Sequence, residues 1–286
     1  MKTNKLLLTA IILSPFVCFL SPGCIEKNQV VEEASIASLQ ADTTVSLNTA
    51  VESSPNCKIH LDFMYLKCSD KDSVSQSVNQ TLQSIFFNEQ LSLLSPEIFV
   101  DSVMHTYISK YKNDVEKYYQ ADIKNGVDAK DIPQWYNYEF DITSELAKGK
   151  NNQFWNYTVS TFQNTGGAHP NTWGKWVNIN ASNGKALTKE DIFLPGTDKD
   201  ICNLILKQLI QEANKRLETD TISSMEGLQS AGVLLDTDLY IPDNFLLKEE
   251  GITFLYNRYD IAPYSMGDFQ LTVPYAEIET YLRGLL

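Results

Sequence analysis

The sequence predicts an α+β fold, with largely antiparallel sheets and two long amphipathic helices packed on them. Three observations predict it. Period-two alternation recurs in segments closed by turn signals such as Asn183-Gly184 and Glu250-Gly251. Residues 96–125 and 198–217 instead carry apolar side chains every three or four positions. The regular strand-helix-strand succession of a doubly wound parallel sheet is missing. Among 286 residues, 43% are hydrophobic and 21% charged, which is globular usage and excludes a fully disordered chain. The net charge of -13 makes a field that repels a polyanion, so nucleic acid is excluded as a partner.

The chain opens on a targeting signal. Lys2 and Lys5 precede an almost wholly apolar run over residues 6–20, too short to span a membrane comfortably at the ~20 residues this takes. Leu20-Ser21-Pro22-Gly23-Cys24 resembles a bacterial lipobox with Cys24 as the lipidated residue, although Leu20 lies one place further out than usual and Pro22 is atypical. A plain cleaved signal or an uncleaved anchor are the alternatives. Loss of Lys2 and Lys5 with the leader would take the charge from -13 to -15. Residues 24–56 read as a flexible tether, since they are polar, hold no aromatic residue and have scattered apolar positions.

Residues 57–66 alternate, with Cys57, Ile59, Leu61, Phe63 and Tyr65 on an inner face and His60 on the solvated one. Val74, Val78, Leu82 and Ile85 mark a first helix. Ser95-Pro96-Glu97 starts a long second helix, with a cap, a proline at the first position and an acid in the first turn. Its stripe is Val100, Val103, Tyr107, Tyr111, Val115 and Tyr118, with His105 off it. Strands follow over residues 136–142, 155–161 and 173–180, then a long helix with Ile201, Ile205, Leu209 and Ala213 on one side. Strands at 245–247, 252–256 and 269–273 and a short helix after Pro274 complete the chain. The expected organisation is a leader over 1–23, a tether over 24–56, an N-terminal α+β domain over 57–150 and a C-terminal α+β domain over 151–286.

Five cysteines are present, and Cys18 and Cys24 fall in the leader region. Cys57 and Cys68 are held apart by an extended strand, beyond disulfide reach. A bond from Cys202 to either stays open. No cysteine-histidine cluster points to a metal, and no cofactor is expected.

Asn164-Thr165-Gly166-Gly167-Ala168-His169-Pro170 is the most unusual stretch. Paired glycines permit backbone angles and approaches that a Cβ forbids. Pro170 restricts His169 to extended angles, and Trp173 and Trp176 follow closely. One reading is a rigid loop presenting Gly166, Gly167, His169, Pro170, Trp173, Trp176 and, from the C-terminal region, Tyr264 to a ligand. The other is a strand-to-strand corner in which His169 makes a structural hydrogen bond.

Gly166-Gly167-Ala168-His169-Pro170, Asn178-Ile179-Asn180, Gly184-Lys185-Ala186-Leu187-Thr188 and Asp191-Ile192-Phe193 resemble the C-terminal domain of the PdaC/RsiV-like family, of the "domain of unknown function 3298" type. Tyr259-Asp260-Ile261-Ala262-Pro263-Tyr264, Gly267 and Val273-Pro274-Tyr275 agree with it, and Val78-Asn79 opening a helix resembles the family's N-terminal companion domain. In that family the module occurs in an anti-sigma factor that senses lysozyme by binding it, and beside a peptidoglycan deacetylase domain. The resemblance implies an envelope location and a binding role, and nothing here resembles the deacetylase metal motifs. The expected function is therefore a non-enzymatic, lipid-anchored envelope module that binds a basic, lysozyme-like protein or cell-wall peptidoglycan. A glycan hydrolase using paired carboxylates among Glu139, Asp141 and Glu145 is one alternative. A structural lipoprotein without ligand is the other.

Overall fold

A computed structural model of the chain describes residues 9–11, 34–128, 131–235 and 238–284. Its elements are β1 (Thr9–Ile11), β2 (Ser35–Ser46), β3 (Asn56–Lys67), α1 (Ser73–Phe86), α2 (Pro96–Lys124), β4 (Tyr138–Lys148), β5 (Phe154–Asn164), β6 (Asn171–Asn180), β7 (Ala186–Leu187), α3 (Lys189–Ile192), α4 (Asp198–Arg216), α5 (Met225–Ser230), β8 (Phe245–Leu247), β9 (Gly251–Tyr256), β10 (Phe269–Pro274) and α6 (Tyr275–Ile278). Strands β1 to β7 form one sheet in sequence order, and β8 to β10 form a second, antiparallel one. Among the described residues only β3 and β4 pair in parallel, because α1 and α2 form the crossover between them. The α+β expectation holds.

Residues 24–56 are not a tether throughout. β2 pairs with β3 over its whole length, from Ser35↔Lys67 to Ser46↔Asn56, and buries Leu39 and Ala41. Ala37, Leu39, Ala41, Thr43 and Val45 share one face. The alternation is there, but alanine and threonine give it little hydrophobic contrast. The boundary at residue 150 is also crossed by the large sheet: β4 and β5 pair from Glu139↔Asn164 to Lys148↔Trp155. Most of residues 1–23, expected to form a leader, and Cys24 lie outside the described residues; β1, within that stretch, runs antiparallel to Ser38–Gln40 of β2.

Two apolar cores result. The first lies under one face of the large sheet, where Val78 and Leu82 of α1 and Val103, Tyr111 and Val115 of α2 meet Leu61, Phe63, Phe140, Ile142 and Tyr157. The start of α2 is as predicted, with Ser95 Oγ accepting from Ile98 N. Its last turn corrects the predicted stripe: Tyr119 is buried and Tyr118 is 48% exposed, because four residues, not three, return to the same face after Val115. The second core joins β8 to β10 with Ile201, Ile205, Leu209 and Ala213 of α4. Cys57, Cys68 and Cys202 are free thiols.

Candidate functional site

The glycine corner is the tip of the β5–β6 hairpin. Gly166 has φ +76°, and a Cβ there would lie 2.4 Å from the carbonyl oxygen of Trp135. Handedness and space both demand glycine at this position. Gly167 makes no such demand: it is exposed, and a Cβ would meet nothing closer than 3.9 Å. The corner is thus closed on the backbone of Trp135, whose ring stays 41% exposed with its edge against Tyr118.

His169 is exposed at this tip and stacks on Tyr264 at 4.3 Å between ring centroids. Its Nδ1 lies 3.1 Å from the Pro170 carbonyl oxygen. A carbonyl can only accept, so this bond places the proton on Nδ1 and leaves Nε2 to accept from Tyr259 Oη at 3.4 Å. Tyr264 Oη donates to the same Pro170 oxygen at 3.2 Å and accepts from Arg258 at 3.0 Å, while the guanidinium also lies over the Tyr264 ring. His169 does hold the structural main-chain bond, and the same ring sits in an exposed aromatic and cationic cluster.

Tyr259 and Trp135 were not picked out as site residues from the sequence. Tyr259 is 54% exposed and adopts φ +70°, an unusual conformation for an aromatic residue. Asn257 N donates to Asp260 Oδ2 at 2.8 Å and Asp260 N to the Asn257 carbonyl at 3.0 Å, which holds the turn in place. The Asn257…Asp260 spacing was the available signal.

From this tip a groove follows the seam between the two sheets. A cleft of about 170 Å3 is lined by Trp173, Trp176, Thr158, Ser160, Arg258 and Gln270 among others. A wider cleft of about 480 Å3 adjoins it, shares Thr158, Ser160, Trp176 and Gln270, and adds Glu145 and Lys248. The seam is built by asparagine amides. Asn178 Oδ1 accepts from Asn156 Nδ2 and Leu247 N, and its Nδ2 donates to the Phe245 carbonyl. Asn244 Oδ1 accepts from Trp176 N. Asn257 brackets Gly174, accepting from its N–H and donating to its carbonyl. These bonds replace backbone pairing, so the sheets are held at fixed spacing with a channel of mixed polar and apolar walls beside them.

The predicted site residues therefore gather along one line, with Gly166, Gly167, His169, Pro170 and Tyr264 at the tip and Trp173 and Trp176 in the groove. Of the three acids considered for hydrolysis, all exposed on β4, only Glu145 reaches the groove. Among the described residues, no group of three or more His, Cys, Asp or Glu is placed to hold a metal ion. No serine, threonine or cysteine side chain there hydrogen-bonds an imidazole; His60 instead pairs with Asp42 at 2.7 Å on the outer face of the sheet.

Residues 190–276 match the family described as "Protein of unknown function (DUF3298)". They form a DUF3298 domain. It supplies Arg258, Tyr259 and Tyr264 to the site, whereas His169, Trp173 and Trp176 precede it, so the site straddles the edge of the matched stretch. The chain is similar to a solved DUF3298 family member (BF2082) from Bacteroides fragilis, with 28% identity, a TM-score of 0.77, and 89% of this chain and 95% of that one covered. A DUF3298 family protein (PA4972) from Pseudomonas aeruginosa PAO1 shares the fold at 15% identity and a TM-score of 0.56, over 86% of this chain and 94% of that one. A protein named Esterase Rv3036c from Mycobacterium tuberculosis is 30% identical over 143 residues, which are 49% of this chain and 59% of that protein. Among the described residues no helix is long and apolar enough to cross a membrane.

Proposed function

We propose that this protein is an envelope-anchored binding module that takes a glycan strand of the cell wall in the groove between its two sheets. The observation that carries this reading is the continuity of the two clefts, which share an indole edge, two hydroxyls and a side-chain amide. An extended, uncharged, hydroxyl-rich chain needs such a surface: an aromatic face for the sugar ring and neutral donors and acceptors along it. Glu145, Glu249, Glu250 and Asp268 are offset there by Lys148, Lys248 and Arg258, so the channel favours a neutral polymer over a polyion. The lipobox-like Leu20-Ser21-Pro22-Gly23-Cys24 and the PdaC/RsiV-like resemblance support the envelope location and the binding role.

Titration with a hexamer of N-acetylglucosamine, followed by tryptophan fluorescence, tests it. The hexamer should quench fluorescence saturably, and Trp173→Ala should weaken binding about ten-fold, the order expected for one aromatic contact. Absence of saturation, or an unchanged affinity in Trp173→Ala, would refute the groove as a glycan site. The mycobacterial relative's name invites a hydrolytic reading. Turnover of an ester substrate that is abolished by Ser160→Ala would replace binding with catalysis as the role of the groove.

A further inference from the structure

We infer that a second, apolar site lies at the edge of the second core, between α4, α5 and the segment leading to β8, and takes the acyl chain of a neutral amphiphile. A cavity of about 530 Å3 opens there, three times the volume of the narrower seam cleft at about 170 Å3. Its walls are Leu206 of α4, Met225 of α5, and Leu239 and Ile241 on the segment leading to β8. Leu239 and Ile241 are 9% and 5% exposed and belong to the second core, so the pocket floor is anchored in rigid packing. The volume lies within the ~300–1,000 Å3 of small-molecule sites, which are likewise largely apolar with a few polar groups.

The rim decides the head group. It carries Lys189 and Lys199 against Asp198 and Asp238, with Asn203 beside them. Lys189 pairs with Asp243 at 3.1 Å. With Asp243 counted, two lysines face three aspartates, so the mouth is nearly balanced for a chain of net charge -13. Such a rim neither attracts a carboxylate head nor repels one strongly, and it offers donors and acceptors to hydroxyl groups. The ligand class that matches is a single acyl chain on an uncharged polyol, as in a monoacylglycerol. This site is separate from the seam groove, with which it shares no lining residue.

Cys202 provides a reporter, since its half-buried thiol lines the cavity. Cys68, also half-buried, lies outside it and serves as the internal control. The experiment follows maleimide alkylation of both thiols in the folded protein, below the micellar concentration of monolauroylglycerol. At about ten times its dissociation constant the amphiphile should slow Cys202 alkylation about ten-fold by simple occupancy. Cys68 should be unaffected, and Leu206→Arg should abolish the protection. Met225→Glu serves the same purpose if Leu206→Arg does not fold, as judged by circular dichroism. No protection of Cys202, equal slowing of Cys68, or undiminished protection in the folded variant would each overturn the proposal. Laurate or dodecylammonium protecting better than the neutral lipid would overturn the head-group assignment. The N-acetylglucosamine hexamer should leave Cys202 alkylation unchanged, so failure here and failure of the groove reading are read separately.

Discussion

The two apolar cores meet the large sheet in different ways. The first core receives a whole face of it: Leu61, Phe63, Phe140, Ile142, Tyr157 and Val159 turn toward α1 and α2. The second core receives almost nothing from it beyond Phe154 of β5 and the half-buried Leu187 of β7. What joins it to the sheet is the set of amide bonds from Asn178, Asn244 and Asn257, with a small apolar cluster of Trp176, Leu246 and Leu255 between them. Apolar contact is non-directional and closes space completely. Amide bonds are directional, fix register, and here leave a channel of mixed polar and apolar walls alongside them. The groove therefore runs along the amide seam.

The largest expected effect tests whether the two cores are equivalent. Leu61→Ala and Leu209→Ala each empty a fully buried site and should each cost about 2–5 kcal/mol. In urea, one shared transition shifted by both changes would show that the amide seam couples the cores; two separate transitions would show that it does not.

Asn178→Ala attacks the seam directly. Asn178 is 1% exposed, and its removal leaves the Leu247 N–H, the Phe245 carbonyl and the Asn156 amide without their partner. We expect a loss of about 2–4 kcal/mol, since orphaned buried groups bear their full desolvation penalty. A loss below about 1 kcal/mol by chemical denaturation would mean that the apolar cluster, not the amides, holds the sheets together.

A smaller effect separates the two corner glycines. Gly166→Ala should cost about 1–3 kcal/mol, through its positive φ and the collision with Trp135, whereas Gly167→Ala should stay within about 0.5 kcal/mol. Equal effects on the thermal midpoint would contradict the assignment of the close approach to Gly166.

A last effect is silent at neutral pH and appears only in alkali. Burial in the first core pushes the Cys57 thiol from 9.0 up to about 12. Because the folded value is raised, this contribution is whole below pH 9.0 and fades as pH climbs toward about 12. Cys57→Val should flatten the loss of stability across that window and leave the neutral range nearly unchanged. A wild-type-like alkaline slope in the variant would assign the loss to other groups, of which Tyr136, raised by burial and by its hydrogen bond to Asp122, is the first candidate.

Legibility in the sequence followed hydrophobic contrast. The helices at 73–86, 96–124 and 198–216 stood out because long aliphatic and aromatic residues recur at helical spacing. β2 did not, because Ala37, Ala41 and Thr43 mark its inner face so weakly. The tip of the site was legible through Gly166, His169 and Pro170. The groove was not, since Thr158, Ser160 and Gln270 are ordinary strand residues until a second sheet is laid beside them.

By itself, the order of residues determined the local elements, the turns and the hairpin tip, because periodicity, capping and a glycine's allowed angles act between near neighbours. Only the tertiary structure decided that Asn178, Asn244 and Asn257 would bind two sheets, that Trp135 would sit under Gly166, and that Tyr264 would stack on His169. Those pairings join residues about 30 to 95 positions apart, and a short polar side chain carries no mark of the distant backbone group it will satisfy.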